Sequence, residues 1–510
     1  MIKEKIKTWF KNPYNLTFFI ILIVFLAIKI YYFSLTYNQP LWWDEADYMN
    51  MARTWIGSSV SWPASPVRPV LLPFIASIFM FLGLGEVSTR LFVLLSSIAS
   101  IILMYSIGKL FFNKKIALIA SFILGIFWSF NFYSFRILTD IPVAMLWLAT
   151  IYTFFNAYFK DKNWKSFILP GILLGLSFLM KASSIILILA IAFYLITTEK
   201  LKVFKNKQIY VFFLVALITV SPYLIYYYAN FISTKSQETV LGNPYFNNIS
   251  DNFKSLIRQL PFIFGQVKLI FIIFFIFGLL WIIFHIYSSK GIFTKATKSN
   301  NYYFLIIWIL FSLIFFAKLV SSDTSYLDER YYFVFYPAIF FIAAIGLDKL
   351  HDFIAKYQKH FAALLIIAIL LFAAYQNIIQ ADSTIKAKKD SFIQLKLAGE
   401  YVKANTAPED LIFILEEQAE ITYYSQRNFI HINYENSTSI IEKLEQYKPK
   451  YVVMSFYYSM GNDFSYDIIN YVFSNPDIFI PVQAYKPFVD QNQKVPLAIV
   501  FQINPLFYKI

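Results

Sequence analysis

Val67-Arg68-Pro69-Val70-Leu71-Leu72-Pro73-Phe74-Ile75-Ala76-Ser77-Ile78-Phe79-Met80-Phe81-Leu82-Gly83-Leu84 is apolar almost throughout, and whether it crosses a membrane decides the fold. Counted as a span, it reverses the side of every loop after it. The positive-inside bias arbitrates, because cytoplasmic loops carry the excess of Lys and Arg. If 67–84 lies along the surface, Lys109/Lys114/Lys115, Lys160/Lys162/Lys165, Lys200/Lys202/Lys205/Lys207, Lys290/Lys295/Lys298 and Lys349/Lys356/Lys359 all share the side of the basic N-terminus. If it spans, all of them face outward. Pro63, Pro66, Pro69 and Pro73 also interrupt its entry, where a fixed φ and a missing amide donor disfavour a straight span. A surface-lying helix is therefore expected. With that choice Asp44/Glu45, Arg136/Asp140, Lys181, the loop at 230–264 and Asp328/Glu329/Arg330 all fall on the outer side, so the polar chemistry gathers at one face.

Working outward, the chain of 510 residues is 58% hydrophobic, 20% aromatic and only 15% charged. Its mean hydropathy of +0.57 excludes a soluble domain of any class. Apolar runs of about 20 residues suit helices crossing a hydrocarbon core and lack the alternation of an outer-membrane barrel. The net charge of +14 sits largely in short loops between those runs, where it meets anionic lipid heads and marks topology, not nucleic acid. The chain has no cysteine, which excludes disulfides, thiolate metal sites and cysteine nucleophiles. The first run follows Lys3, Lys5, Lys7 and Lys11, but it is too long for a signal-peptide core and lacks a small-residue cleavage site, so it reads as a retained span.

Spans are expected at about 16–34, 89–108, 116–135, 141–159, 166–180, 184–198, 209–229, 266–288, 302–320, 332–348 and 361–378, eleven in all. The sequence thus describes a polytopic α-helical membrane domain over 1–380. Beyond 388 the composition turns polar, with strand-like runs at Leu411–Leu415, Tyr451–Ser455, Ile478–Val482 and Leu497–Gln502. Helix-like stretches at 391–404, 438–447 and 464–473 separate them, so 388–510 reads as a soluble outer α/β domain. It has no Gly-rich phosphate loop, and the sequons at Asn15, Asn248 and Asn436 are too common to weigh.

Four places could carry chemistry. Leu41-Trp42-Trp43-Asp44-Glu45-Ala46-Asp47-Tyr48 sets three carboxylates beside two indoles just past the first span. Either Asp44 caps an interfacial helix, with Glu45 and Asp47 in its first turn, or Asp44 or Glu45 is a general base at the water–lipid boundary. Asp44-Glu45-Ala46-Asp47 also spells a helicase tetrapeptide, an accidental match without a nucleotide loop. Arg136 and Asp140 stand four apart, the spacing of a helical ion pair, and both are costly at a span boundary unless they face a wet cavity. Lys181 interrupts an apolar run on the side where lysine is disfavoured: it either snorkels or holds a lipid phosphate. Arg330, in Asp328-Glu329-Arg330-Tyr331-Tyr332, breaks the charge bias in the same way, and its fork suits a phosphate or diphosphate. Glu86 and Arg90, again four apart, read as structural, and His285 as a packed imidazole.

Asp44-Glu45-Ala46-x-Tyr48 after the first span, Pro66-Val67-Arg68-Pro69, Arg90-Leu91, Arg136-x-x-x-Asp140, Leu179-Met180-Lys181, and Arg330-Tyr331 with Pro337 together resemble the GT-C membrane glycosyltransferases. Within them the series is most similar to the family 39/83 group of protein O-mannosyltransferases and lipid A aminoarabinose transferases, over roughly residues 10–380. The resemblance implies a GT-C fold of about eleven spans plus interfacial helices, a sugar donor on a polyprenyl phosphate, and a first-loop acid that activates the acceptor. Asp44 matches that acid, with Glu45 beside it, and Asp140 matches the second outer-loop acid. Lys181 and Arg330, together with Arg136, would hold the donor phosphate. Val67-Arg68-Pro69 departs from the Lys-Pro-Pro or His-Pro-Pro element of many relatives, so metal or acceptor contacts placed there do not carry over. Trp42-Trp43-Asp44 resembles the Trp-Trp-Asp signature of oligosaccharyltransferases, but theirs lies in the soluble domain and continues Tyr-Gly, so it is not transferred.

The expected protein is thus a plasma-membrane glycosyltransferase of the cell envelope. It passes a sugar from a polyprenyl-phosphate donor to a hydroxyl of a protein, lipid or glycan outside, with inversion. The N-terminus is cytoplasmic and the C-terminal domain lies outside. No cofactor is assigned from the sequence, a divalent metal is neither assigned nor excluded, and no nucleic acid is expected. The rival is a transporter or flippase of lipid-linked sugars, which would place ionisable residues mid-span instead of at one face.

Overall fold

The computed structural model describes residues 2–60, 62–63, 68–160, 163–229, 249–288, 298–319, 328–415, 418–432, 437–456, 466–485 and 498–509. Pro66, Val67, Lys162, residues 230–248, Lys290, Lys295, Asn436 and Leu497 lie outside the described residues. The chain divides into two compact units, one of 1–34, 66–71 and 91–385, the other of 35–65, 72–90 and 386–510.

The first unit is helical. Among the described residues of the whole chain, seven helices are long and apolar enough to cross a membrane: Pro13–Thr36, Gly85–Phe111, Asp140–Lys160, Ala182–Lys205, Lys207–Tyr227, Leu269–Ser288 and Lys359–Ala404. The expected count of eleven is not reached on these criteria, for local reasons. The run expected over 116–135 breaks at Phe127 into Lys114–Ile126 and Trp128–Tyr133. The run at 166–180 forms the shorter apolar helix Trp164–Met180, and Asn300–Phe315 is likewise short. Leu71–Phe81 has 11 residues, about 16 Å at 1.5 Å per residue, half the thickness of a hydrocarbon core of about 30 Å. That length suits a helix lying at the surface.

Packing explains why these segments are apolar on every side. Leu269–Ser288 buries Phe271, Phe275, Gly278 and Ile282, while Leu269, Ile273, Ile276, Leu280, Phe284 and Tyr287 stay exposed. Both faces are apolar, so the outer one is fit for lipid chains, not water. Tyr336–Ala355 lies at the centre, with every side chain from Tyr336 to Asp348 buried. It meets Leu269–Ser288 through two facing glycines. A Cβ on Gly278 would stand 2.1 Å from the carbonyl oxygen of Ile342, and one on Gly346 would stand 2.2 Å from that of Phe274. Such small-residue contacts let helix backbones touch where lipid offers no hydrophobic drive for association. The break at Phe127 is compensated too: Asn131 Nδ2 donates to the carbonyls of Gly125 (2.9 Å) and Phe127 (3.1 Å), and Asn377 Oδ1 accepts from the amide of Trp128 (3.2 Å). A backbone interrupted in a membrane survives when neighbouring side chains satisfy it in this way.

The second unit carries a five-stranded sheet in the order β2-β1-β3-β5-β4, with β1 Leu411–Leu415, β2 Asn428–His431, β3 Tyr451–Ser455, β4 Phe479–Tyr485 and β5 Ala498–Ile503. β1 pairs in parallel with β2 and β3, while β5 runs antiparallel to β3 and β4. The parallel pairs need crossovers, which Gln418–Ser425 and Ser437–Tyr447 supply. Alternation decides the two cores: Phe413, Leu415, Val452, Met454 and Phe501 point to one face with Ile440, Leu444, Ile468 and Val472. Ile412, Ile414, Val453 and Val500 point to the other, with Leu395, Ala398, Val402 and Ile421. Strand β2 escapes the sequence reading because it has four residues, none fully buried, at the sheet edge.

Adding a methyl at Gly278 or Gly346 must push two helices apart. Gly278→Ala and Gly346→Ala should each cost about 1–3 kcal/mol, seen as a lower apparent Tm of the purified protein in detergent. An unchanged Tm in both would refute the close crossing.

Candidate active site

In the second unit, helix Trp43–Trp55 places the acidic stretch. Its capping position is Trp42, not Asp44. Glu45 supplies the reciprocal cap, its Oε2 accepting the Trp42 amide at 2.8 Å. The other oxygen, Oε1, lies 3.4 Å from Arg90 Nη1, and both side chains are fully buried. Arg90 Nη2 donates to Glu86 Oε1 at 2.7 Å and to the Gln39 carbonyl at 2.8 Å. The pair Glu86/Arg90 is therefore structural, as its spacing suggests, but it also holds Glu45, which the sequence did not disclose. Asp47 is buried as well and accepts from Trp62 Nε1 at 2.5 Å. Asp44, in the first turn of the helix, is only half-buried. Of the two candidate bases, Glu45 is thus committed to an arginine and an amide, and Asp44 is the one with access to solvent.

The helix is moored to Gln418–Ser425. Asn50 Nδ2 donates to the Ala419 carbonyl (2.8 Å), Arg53 Nη1 to the Tyr423 carbonyl (2.7 Å), and the Tyr424 hydroxyl accepts the Leu41 amide (2.9 Å). The Arg53 guanidinium also sits 4.3 Å from the Tyr423 ring centre, a cation–π contact. These bonds tie 35–65 to the carboxyl-terminal segment, with which it shares the second unit.

In the first unit a cationic group forms around Tyr331. Asp140 opens helix Asp140–Lys160 and is buried, and it forms an ion pair with Lys181, 41 positions away. Residues 134–139 are not helical, so the four-residue spacing of Arg136 and Asp140 is not a helical pairing. Lys181 ends helix Ile168–Met180 in an extended conformation, which turns its side chain out of the apolar run. Its ammonium lies 4.8 Å from the Tyr331 ring centre, and the Arg330 guanidinium lies 5.3 Å from the same ring. The two cations thus flank one tyrosine.

Asp328 orients the arginine: its Oδ2 meets Arg330 Nε at 2.7 Å, and its Oδ1 caps the Arg330 amide at 3.0 Å. Tyr133 donates to Asp328 Oδ1 at 3.0 Å and reaches Glu329 Oε1 at 3.4 Å. Burial, with Asp328 adding repulsion, holds the Glu329 carboxyl above its usual range against its own amide, Tyr133 and Arg330. Arg136 is buried with its guanidinium 5.9 Å from the Phe132 ring centre.

Tyr331, Tyr133 and Glu329 were missed as site residues because nothing in their local sequence marks them apart from interfacial aromatics and acids. Lys29 was missed too, although a lysine inside the first apolar run was a visible signal. It is buried, and donates to Asn131 Oδ1 (2.9 Å) and Ser134 Oγ (3.0 Å). His285 stacks on Trp281 with ring centres 4.9 Å apart, a packed imidazole as expected. Among the described residues no group of three or more His, Asp or Glu could hold a metal ion.

Residues 67–226 match the model of the dolichyl-phosphate-mannose-protein mannosyltransferase family. No curated protein matches the sequence significantly. Among solved structures, the chain is similar to apo ArnT from Cupriavidus metallidurans, with a TM-score of 0.67 at 12% identity, covering 95% of this chain and 98% of that one. ArnT bound to undecaprenyl phosphate gives 0.64 at 13% identity, with the same coverage. The oligosaccharyltransferase AglB from Archaeoglobus fulgidus, in complex with an inhibitory peptide and a dolichol-phosphate, gives 0.57 at 16% identity over 98% of this chain and 77% of that one. At such identities the likeness establishes architecture. The chain is a multi-pass membrane protein with the GT-C fold and a small carboxyl-terminal sheet domain.

Removing Arg90 would strand the Glu45 carboxylate in the interior. Arg90→Met should cost about 3–5 kcal/mol, whereas Glu86→Gln, at the wetter end of the group, should cost about 1 kcal/mol or less. Thermal unfolding in detergent compares them, and equal losses would contradict a buried Glu45–Arg90 pair.

Proposed function

From a GT-C fold that carries two aromatic-flanked cations beside a buried acid, we propose that this chain is a glycosyltransferase using a sugar on a polyprenyl phosphate. The observation that carries the reading is the group Lys181, Tyr331, Arg330 and Asp140, in a fold shared with proteins solved with undecaprenyl phosphate and dolichol-phosphate. The family match over 67–226 supports it independently. A transporter of lipid-linked sugars is not favoured by these relatives.

The chemistry follows from charge. As the anomeric bond to the phosphate breaks, its electron pair passes to the phosphate oxygen, and Lys181 and Arg330 stabilise that charge. Arg330 contributes a planar fork, and Lys181 a mobile ammonium that Asp140 holds in place. Arg136 adds positive charge from the same unit. The acceptor is a hydroxyl, whose proton passes to the Asp44 carboxylate as its oxygen bonds to the anomeric carbon. Glu45 keeps the helix start and Arg90 in register. One base and one direct displacement give inversion. The donor sugar is a hexose or a pentose, and the acceptor hydroxyl belongs to a protein, lipid or glycan. Asp44 and the carboxyl-terminal domain face outward, and the amino terminus faces the cytoplasm.

Asp44→Asn removes the base without disturbing a cap, so turnover should fall by about two orders of magnitude or more with donor binding retained. In the same assay Lys181→Ala and Arg330→Ala should weaken donor binding, with Arg330→Lys intermediate. Initial rates against a panel of labelled polyprenyl-phosphate sugars, at matched protein levels, provide the measurement. Near-wild-type turnover in Asp44→Asn would remove the base, and unchanged donor binding in both alanine variants would remove the phosphate site.

Orientation has its own test, made clean by the absence of native cysteine. Cysteines replacing the exposed Ser59 and Glu409 should react with an impermeant thiol reagent in intact cells, and one replacing the exposed Asn163 should not. Labelling at Asn163 alone would invert the topology.

A further inference from the structure

The first unit has a second cationic place, at the other end of helix Asp140–Lys160. Its 21 residues put Lys160 about 30 Å from Asp140, one hydrocarbon thickness away. A cavity of about 970 Å³ opens there, lined by five lysines and only two aspartates. The charges divide into two sets. Lys115 is neutralised by Asp348 (2.9 Å) and Asp352 (3.2 Å), and Lys349 lies 3.6 and 3.7 Å from the same two acids. Those two aspartates are thereby used up.

Lys109, Lys114 and Lys160 make no ion pair among the described residues, and Lys114 and Lys160 each repel the Lys109 ammonium. Lys109 is half-buried and held 4.9 Å from the Tyr105 ring centre. Three like charges crowded in a concave wall are unfavourable by themselves, and topology alone does not require them to share one cavity. An anion with several acceptor oxygens removes the repulsion and gives each ammonium a hydrogen-bonding partner. Tyr14 and Tyr152 on the same wall supply an amphipathic rim of the kind that sits at the headgroup level. Ser106 and Asn113 add further polar groups.

We propose that this cavity binds the phosphate of an anionic lipid headgroup, held by Lys109, Lys114 and Lys160. The site lies a membrane thickness from the Lys181–Arg330 group and does not depend on the catalytic reading.

The test uses the full-length protein in detergent, with native mass spectrometry counting retained lipid. Phosphatidylglycerol should be retained over phosphatidylcholine. Each lysine should contribute about fivefold to the affinity, so the variant with Lys109, Lys114 and Lys160 all replaced by Gln should lose on the order of 100-fold. Replacing the same three by Arg keeps the charge and should preserve binding, which separates a lost charge from a lost fold. Equal retention of phosphatidylcholine, undiminished phosphatidylglycerol in the Gln variant, or equal loss in the Arg variant would each overturn the proposal. Displacement of phosphatidylglycerol by inorganic phosphate would give the cavity to the free anion and overturn the lipid form of it.

Discussion

A charge withdrawn from water must meet an opposite charge or a full set of hydrogen bonds, and the polar architecture of this protein follows from that requirement. Glu45 is matched by Arg90 and a helix-start amide. Asp140 is matched by Lys181, Arg330 by Asp328, and Lys29 by an amide oxygen and a hydroxyl. In a low-dielectric interior the penalty for a lone ion is several kcal/mol, so each partner becomes a constraint on where two distant segments can lie. The long-range ion pairs thereby serve as registration points for helices that are otherwise greasy cylinders with little to distinguish one contact from another.

Backbone polarity obeys the same rule. At the interruption at Phe127, Asn131 Nδ2 donates to the Gly125 and Phe127 carbonyls and Asn377 accepts the Trp128 amide. The interruption leaves Trp128–Tyr133 as a separate short helix, from which Tyr133 reaches the acids that orient Arg330. A continuous span would have no reason to end there. The facing glycines at 278 and 346 serve packing in the same economical way, since backbone contact replaces the side-chain interdigitation that drives soluble helices together.

The site residues were legible as types and not as partnerships. Lys181 and Arg330 stood out because positive charge is rare in the loops to which the hydropathy pattern consigned them, and both prove to flank Tyr331. Arg136 and Asp140 were readable as a helical pair, yet the stretch between them is not helix, and Asp140 binds a lysine from another segment. Asp44 and Glu45 looked interchangeable in sequence. Only Glu45 lies where Arg90 and the Trp42 amide can claim both of its oxygens.

By itself the sequence determined the class of the protein: a polytopic helical membrane chain with an α/β segment beyond 388, because hydropathy, strand alternation and loop charge are properties of short windows. Its prolines also set the segment around 67–84 apart from the long apolar runs, and that segment folds as the short helix Leu71–Phe81. The tertiary structure alone decided which distant charges meet, that 35–65 packs with the carboxyl-terminal sheet, where the third apolar run breaks, and that β2 joins a sheet edge. The ion pairs and the mooring of 35–65 depend on groups tens to hundreds of positions apart finding partners, and β2 on backbone pairing with β1, so no local window of sequence contains that information.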